Sequence, residues 1–420
     1  MQAVQHTEGS VMIIAGAGSG KTRTITSRIA YLIKEKGVSP ENILAITFTN
    51  KAAKEMKERI HRLLGHNGSP PWISTFHSFC LKLLRQHIDS LGYRRDFVIC
   101  DGQDQLSVVK HCMKTAGVNE DTFPPKSILN LISGFKNEFL LPKDIDIESI
   151  PYGNKLKAAT LYPLYQEELK KNNALDFDDL LILTTRLLNE VEPVFQRYSN
   201  HFRYIMVDEF QDTNKVQYQL VHRLSRIHGN VCIVGDDDQS IYRWRGANIE
   251  NMLHFEKDFP GTTLIKLEEN YRSTQNILNA AGAVVKANIG RKDKTLWTRN
   301  ETGGPILYCR AEDEDDEART VCEKILSFNR EEGHSFNDMA ILYRTNAQSR
   351  VVEDALRKLA IPYQVVGGLR FYERKEIKDI LAFMRAVVNP SDSISLLRIV
   401  NVPPRGIGKT SIDKVMAYCA

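Results

Sequence analysis

Much is missing from this 420-residue sequence, and each absence removes a class of protein. Its seven cysteines (Cys80, Cys100, Cys112, Cys232, Cys309, Cys322 and Cys419) form no C-x-x-C pair, so neither a zinc ligand set nor a disulfide framework is indicated. A reducing, cytoplasmic compartment fits that usage. No apolar run approaches the roughly 20 residues that span a bilayer. The first ten residues, Met1 to Ser10, are polar, so neither a signal peptide nor a membrane partner is expected. Charge of one sign is also lacking: 56 Lys and Arg against 52 Asp and Glu leave +4. That mild excess permits nucleic-acid binding without arguing for it, so any such claim rests on local residues. Repeats and low-complexity tracts are absent. A hydrophobic content of 42% nevertheless supports large cores, and the length predicts two to four structural units.

Short apolar runs alternate with amphipathic stretches. Val11–Ala15 reads as a buried strand, Thr22–Lys34 as a helix, Ile43–Phe48 as a strand and Asn50–Leu64 as a helix. Trp72–Ser74 leads into a helix through Leu84, and Phe97–Cys100 closes the series. Such alternation predicts a parallel sheet with helices on both faces. From about Asp104 to Pro193 strand signals nearly vanish, while Gln105–Lys114, Lys126–Phe135, Lys155–Lys170 and Phe177–Asn189 look helical. Strands resume at Tyr204–Val207, Val231–Val234 and Thr263–Leu267, so the helical stretch reads as an insertion. A second α/β unit is expected from about Gly303, with strands Pro305–Arg310, Met339–Tyr343 and Tyr363–Val366 and helices Asp316–Phe328 and Ser349–Leu359. From Glu376 onward the pattern is helical.

After the first strand comes Ala15-Gly16-Ala17-Gly18-Ser19-Gly20-Lys21-Thr22, followed by a helix. This is a Walker A loop in strand–loop–helix context. Small residues let backbone N–H groups face phosphate oxygens, and the helix N-terminus adds positive partial charge. Lys21 is the expected partner of the β- and γ-phosphates of ATP, and the Thr22 hydroxyl of Mg²⁺. Ala15 stands where the strict pattern has glycine, which is tolerable at negative φ. A Gly-rich turn with a chance lysine is the bland alternative, and the flanking strand and helix disfavour it. Asp208 and Glu209, at the end of the apolar run Tyr204–Val207, supply the acidic partner. Asp208 is expected to hold the metal and Glu209 to act as general base on the attacking water. Alone, the pair reads equally well as a solvated strand end.

The longer string Val207-Asp208-Glu209-Phe210-Gln211-Asp212-Thr213 resembles a motif of the UvrD/Rep/PcrA-type superfamily 1 DNA helicases. Thr47–Ala53, Ser74–Ser78, Gly235–Ala247, Asn270–Ser273 and Tyr343–Arg350 resemble further family motifs, in the family's order. The resemblance implies an ATP-dependent 3′-to-5′ helicase and single-strand DNA translocase, acting on single strands and their junctions with duplex in repair or replication. It implies an α/β fold: a RecA-like P-loop domain over 1–104 and 194–274 with a helical insertion over 105–193. A second, incomplete RecA-like domain over 275–378 and the start of another helical insertion over 379–420 follow.

By the same resemblance Gln239 senses the γ-phosphate, Arg272 is a cis arginine finger, Tyr271 stacks on adenine and Arg23 flanks the nucleotide. Phe48, Thr75, His77, Tyr242, Trp244, Arg245 and Asn346 are the expected DNA contacts, with Phe177 a weaker candidate. Base stacking on aromatics is tolerant of sequence, as a motor on any DNA requires. Each has a bland alternative: a buried Phe48, a structural His77, a Trp244 that plugs a core, an interdomain ion pair for Arg272. The family's adenine-reading glutamine is expected just before Met1, and its motifs V and VI beyond Ala420. Two competing readings remain: the helicase part of an AddA/RecB-like helicase–nuclease, and a non-motor fragment that binds single-stranded DNA or nucleotide without turnover. Accessory proteins are not legible.

Overall fold

The computed structural model describes residues 1–65, 70–288, 294–366, 375–389 and 392–419, without the side chains of Arg245, Lys409, Asp413, Met416, Ala417 and Cys419. Its strands are Val11–Ala15 (β1), Ile43–Thr47 (β2), Trp72–Thr75 (β3), Val98–Ile99 (β4), Ala174–Leu175 (β5), Tyr204–Val207 (β6), Val231–Gly235 (β7) and Thr263–Leu267 (β8). Six of them form one sheet in the order β3-β2-β6-β7-β1-β8. Every ladder in it is parallel, so all six carboxyl ends share one edge. Phe97–Cys100 does not close this series. Val98 and Ile99 pair instead with Ala174 and Leu175 in a separate two-stranded ladder, because a strand's partner is chosen by packing that local pattern does not encode.

Residue alternation along the strands separates two cores. Met12, Ile14, Leu44, Ile46, Ile205, Val207 and Ile233 face helices Phe76–His87, Phe177–Glu190 and Lys215–Ser225. Val11, Ile13, Ile43, Ala45, Met206 and Val234 face helices Lys21–Lys34 and Asn50–Leu64. With both faces covered, the strands read as unbroken apolar runs. Each fully buried aliphatic side chain contributes about 1.5–3 kcal/mol.

The expected insertion, 105–193, divides between two cores. Helices Gly102–Thr115, Pro125–Asn137 and Asn154–Lys171 bury Val109, Met113, Ile132, Tyr162 and Tyr165 together. Helix Phe177–Glu190 sends Leu180, Leu183, Leu187 and Leu188 into the sheet's own core. An amphipathic pattern shows that a helix has a partner, not which one.

Two compact units result: Met1–Gly303 with Asp379–Ala420, and Gly304–Lys378. Residues 275–303 belong with the first, where the backbone N–H groups of Asn270 and Asn276 donate to the carbonyls of Trp297 and Thr302 at 2.7 and 3.0 Å. The later helices join it through Arg385 and Asp104 (3.7 Å) and the Ser393 N–H on Asn172 (3.2 Å). In the second unit helices Glu314–Glu331 and Asn346–Lys358 pack around Cys322, Leu356 and Ile361. The segments expected as strands, Pro305–Arg310, Met339–Tyr343 and Tyr363–Val366, form no ladder among the described residues, and Leu307, Tyr308, Leu342 and Val366 are exposed. A strand exists only through a neighbour's hydrogen bonds, and an apolar run does not supply that neighbour.

One buried ion-pair cluster fastens the inserted helices to the sheet domain. Lys136, fully enclosed, reaches Asp176 at 2.6 Å and Asp179 at 2.7 Å, and the Tyr165 hydroxyl donates to Asp176 at 3.0 Å. Burial alone lowers an ammonium, but the two carboxylates outweigh it and hold Lys136 well above its ordinary range. Removing one partner strands the others in a dry site. Lys136→Met is therefore expected to lose about 3–5 kcal/mol in urea denaturation, most of it recovered when Asp176→Asn and Asp179→Asn are added.

Candidate active site

The site lies at the carboxyl ends of β6, β7 and β1, three adjacent strands. Leaving β1, the chain turns through Gly18 (φ +71°) and Gly20 (φ +89°) and enters a helix at Lys21. These left-handed positions favour glycine because a Cβ crowds the backbone there. Ala15 ends the strand in extended conformation, so its methyl group costs nothing. Two glycines are also required by packing. A Cβ on Gly16 meets the Leu296 side chain, and one on Gly18 meets Asn270 at 2.6 Å and Arg272 at 2.7 Å.

Lys21 Nζ lies 2.9 Å from Glu209 Oε2, and Thr22 Oγ1 lies 3.4 Å from Asp208 Oδ2. The predicted acidic pair and the predicted loop are thus in contact. Glu209 adopts left-handed backbone, φ +51°, uncommon for a residue with a side chain and frequent at functional turns. Asp208 is buried, which raises its carboxyl to about 6; the Glu209 charge adds to this and Lys21 opposes it. Burial and Glu209 likewise raise Asp212 to about 6.

A chain of polar contacts leads away from the loop. Gln211 Nε2 donates to Glu209 Oε2 at 2.9 Å, and Gln211 Oε1 accepts the Asp236 backbone N–H at 2.9 Å. Gln239 donates to Asp236 Oδ2, so the expected γ-phosphate sensor is turned onto its neighbour three residues back. Across the loop, Asn270 Nδ2 donates to the Ala17 carbonyl at 2.5 Å, and the Tyr271 N–H to the Gly18 carbonyl at 2.9 Å. Tyr271 and Arg272 are thereby held beside the loop with exposed side chains. Arg23 is exposed on the first helical turn.

The expected DNA contacts fall into three groups. Phe48 and Thr75 lie at the ends of β2 and β3, neighbouring strands at one side of the sheet. Phe48 is half-buried and packs edge-on against Phe76 at 5.7 Å. The Thr75 hydroxyl is committed locally: it accepts the Ser78 N–H at 3.2 Å as a helix cap and is buried. His77 meets the exposed Phe177 edge-on at 6.0 Å, and burial lowers its imidazole below the ordinary range. Tyr242 and Trp244 form the second group, with ring centroids 6.4 Å apart. Trp244 is 66% exposed, which rejects the core-plug alternative. The Arg245 side chain is outside the described residues. Asn346 opens a helix in the other compact unit and is exposed.

Gln211 and Asn270 lie inside family-like strings without a role legible in sequence, and neither Leu296 nor Lys294 carries a local signal. Glutamine and asparagine side chains that fasten one loop to another have no periodic signature. Leu296 and Lys294 act across more than fifty residues of chain, beyond any local signal.

A parallel α/β sheet carrying a phosphate loop against an acidic strand end defines a P-loop nucleotide-binding protein of RecA-like fold. Residues 1–260 match the UvrD/REP helicase N-terminal domain and residues 265–419 the UvrD-like helicase C-terminal domain. The chain belongs to the UvrD/Rep helicase family. It is similar to proteins named ATP-dependent DNA helicase PcrA from Staphylococcus aureus and Staphylococcus epidermidis, each 52% identical over 417 residues. These alignments cover 99% of this chain and 57% of each relative; the chain spans a little over half the length of the curated relatives it matches.

Two expectations follow. A folded carboxyl raised to about 6 binds its proton more tightly than the unfolded one, so its contribution to stability is present at low pH and lost as pH rises through 6. Asp208→Asn is therefore expected to stabilise the free protein by on the order of 1–3 kcal/mol at about pH 8 and to change little at about pH 4, read by urea denaturation at both. Trp244→Ala should shift stability by no more than about 0.5 kcal/mol, as for a surface side chain, while weakening binding of a fluorescent single-stranded oligonucleotide.

Proposed function

We propose that this chain is the ATP-binding part of a DNA helicase that steps along single-stranded DNA in the 3′-to-5′ direction. The observation that carries the reading is the contact of Lys21 with Glu209 and of Thr22 with Asp208. Lys21 is held by a carboxylate where a phosphate would take it over, which frees Glu209 to orient and deprotonate the attacking water. Tyr271 and Arg23 flank the nucleotide, and Arg272 stabilises charge on the transferred phosphoryl group. Asp236 holds Gln239 until that group arrives.

Thr22 and Asp208 supply a hydroxyl and a carboxylate, hard oxygen donors suited to Mg²⁺, and burial leaves Asp208 in want of a cation. A metal held there by Thr22 and Asp208 would supply positive charge against the phosphates. Phe48, His77, Phe177, Tyr242 and Trp244 offer rings to unpaired bases, each stacking contact worth about 1–3 kcal/mol. Asn346 is assigned to the same strand by resemblance. Among the described residues no helix is long and apolar enough to cross a membrane. The family resemblance is what assigns the protein to the cytoplasm, with DNA as its partner.

Glu209→Gln is expected to lower DNA-stimulated ATP turnover by about 10³-fold or more while nucleotide affinity stays within about threefold. Retained turnover removes Glu209 from the general-base role. Unwinding of tailed duplexes by the full-length protein reads the polarity. A chain that binds nucleotide and single strands, yet hydrolyses nothing in any form, is a binding module and not a motor.

A further inference from the structure

Lys294 belongs neither to the phosphate loop nor to the expected DNA contacts. Its side chain is 2% exposed, and its ammonium touches three carboxylates: Asp236 at 2.9 Å, Asp238 at 2.7 Å, and Asp237. Those three carboxylates lie within 4.8 Å of one another. Such crowding of like charge is tolerable in a dry site only around a cation, and here the cation comes from a segment more than fifty residues away. Asp236 also receives the Gln239 amide and the Asp238 N–H, and Asp238 receives the Asn288 amide at 3.3 Å.

The residues after Lys294 bind two other loops of the site. Leu296 fills the space above Gly16. Trp297 accepts the Asn270 N–H at 2.7 Å and donates its own to Glu268 at 3.1 Å, while the Thr298 hydroxyl donates to the Asn270 carbonyl at 2.7 Å. Residues 294–298 therefore form a strap whose ends are the acidic turn before Gln239 and the Asn270 loop that carries Tyr271 and Arg272.

We propose that Lys294 is a positioning residue for the coupling of ATP hydrolysis to DNA binding. By gathering Asp236, Asp237 and Asp238 it holds the turn that carries Gln239, which rests on Asp236, and from which the Tyr242–Trp244 loop departs. It also ties that turn, through the strap, to the loop bearing Arg272. The inference rests on the motor reading above. Lys294 touches no nucleotide itself; it sets where Gln239 waits and how the aromatic loop and the nucleotide loop move together.

The test uses the full-length protein with Lys294→Met, Lys294→Arg, and Lys294→Met combined with Asp237→Asn and Asp238→Asn, which leaves no uncompensated pair of buried charges if the single variant folds poorly. Steady-state ATP hydrolysis is measured with and without single-stranded DNA. The ratio of the two rates is expected to fall about tenfold in Lys294→Met and in the triple variant, with KM for ATP within about threefold of wild type. Lys294→Arg, which keeps the charge, is expected to restore at least half of the ratio. A merely structural lysine lowers both rates in proportion and leaves the ratio unchanged, and that result overturns the proposal. A wild-type protein whose hydrolysis ignores DNA takes the motor reading and this inference down together. A lowered variant ratio beside a stimulated wild type supports both.

Discussion

The parallel pairing of β6, β7 and β1 is the constraint on which the site depends. Because the three strands run the same way side by side, the loop after β1, the acidic pair after β6 and the acidic turn after β7 emerge together at one edge. Positive and negative groups that the chain separates by nearly two hundred residues come within hydrogen-bond reach. Burial of both sheet faces holds that edge rigid, since shifting a strand by one residue turns its apolar set to the wrong side.

Electrostatics in this edge is a matter of shared partners. Lys21 answers Glu209, and Lys294 answers Asp236, Asp237 and Asp238, with the uncharged Gln211 amide joining the two groups. Asp208 accepts from the Thr22 hydroxyl and from its own neighbour's N–H, and burial raises it despite the opposing Lys21 charge. On the function proposed above, a buried carboxylate beside a glycine-rich loop is where a cation would enter together with the anion it accompanies. The cost of that burial is stability withheld from the free protein at neutral pH.

The exposed aromatics belong to a different balance. Trp244 and Phe177 leave large apolar surfaces in water beside polar groups, which isolated folding does not favour. Their setting at the margin of a rigid sheet domain, and not within it, is what a surface for transient stacking requires. Lys136 and its two aspartates serve the neighbouring need of fastening the inserted helices to that domain, on which Phe177 stands at the start of its helix.

Local chemistry alone determined a good deal. The strand–loop–helix run from Val11 through Lys34, the apolar strand ending in Asp208 and Glu209, and the helices of 102–171 were readable because glycine spacing, apolar runs and helical periodicity are properties of neighbouring residues. The family resemblance rested on the same contiguous strings. Tertiary structure alone decided which core the helix Phe177–Glu190 joins, that Val98–Ile99 pairs outside the main sheet, that the runs near Ile306 and Leu342 make no ladder among the described residues, and that Gln239 rests on Asp236. It also decided that Lys294 gathers three aspartates and that Leu296 roofs Gly16. These facts depend on which distant surfaces meet, and meeting is governed by the summed burial and charge of the whole fold, which no short window of residues contains.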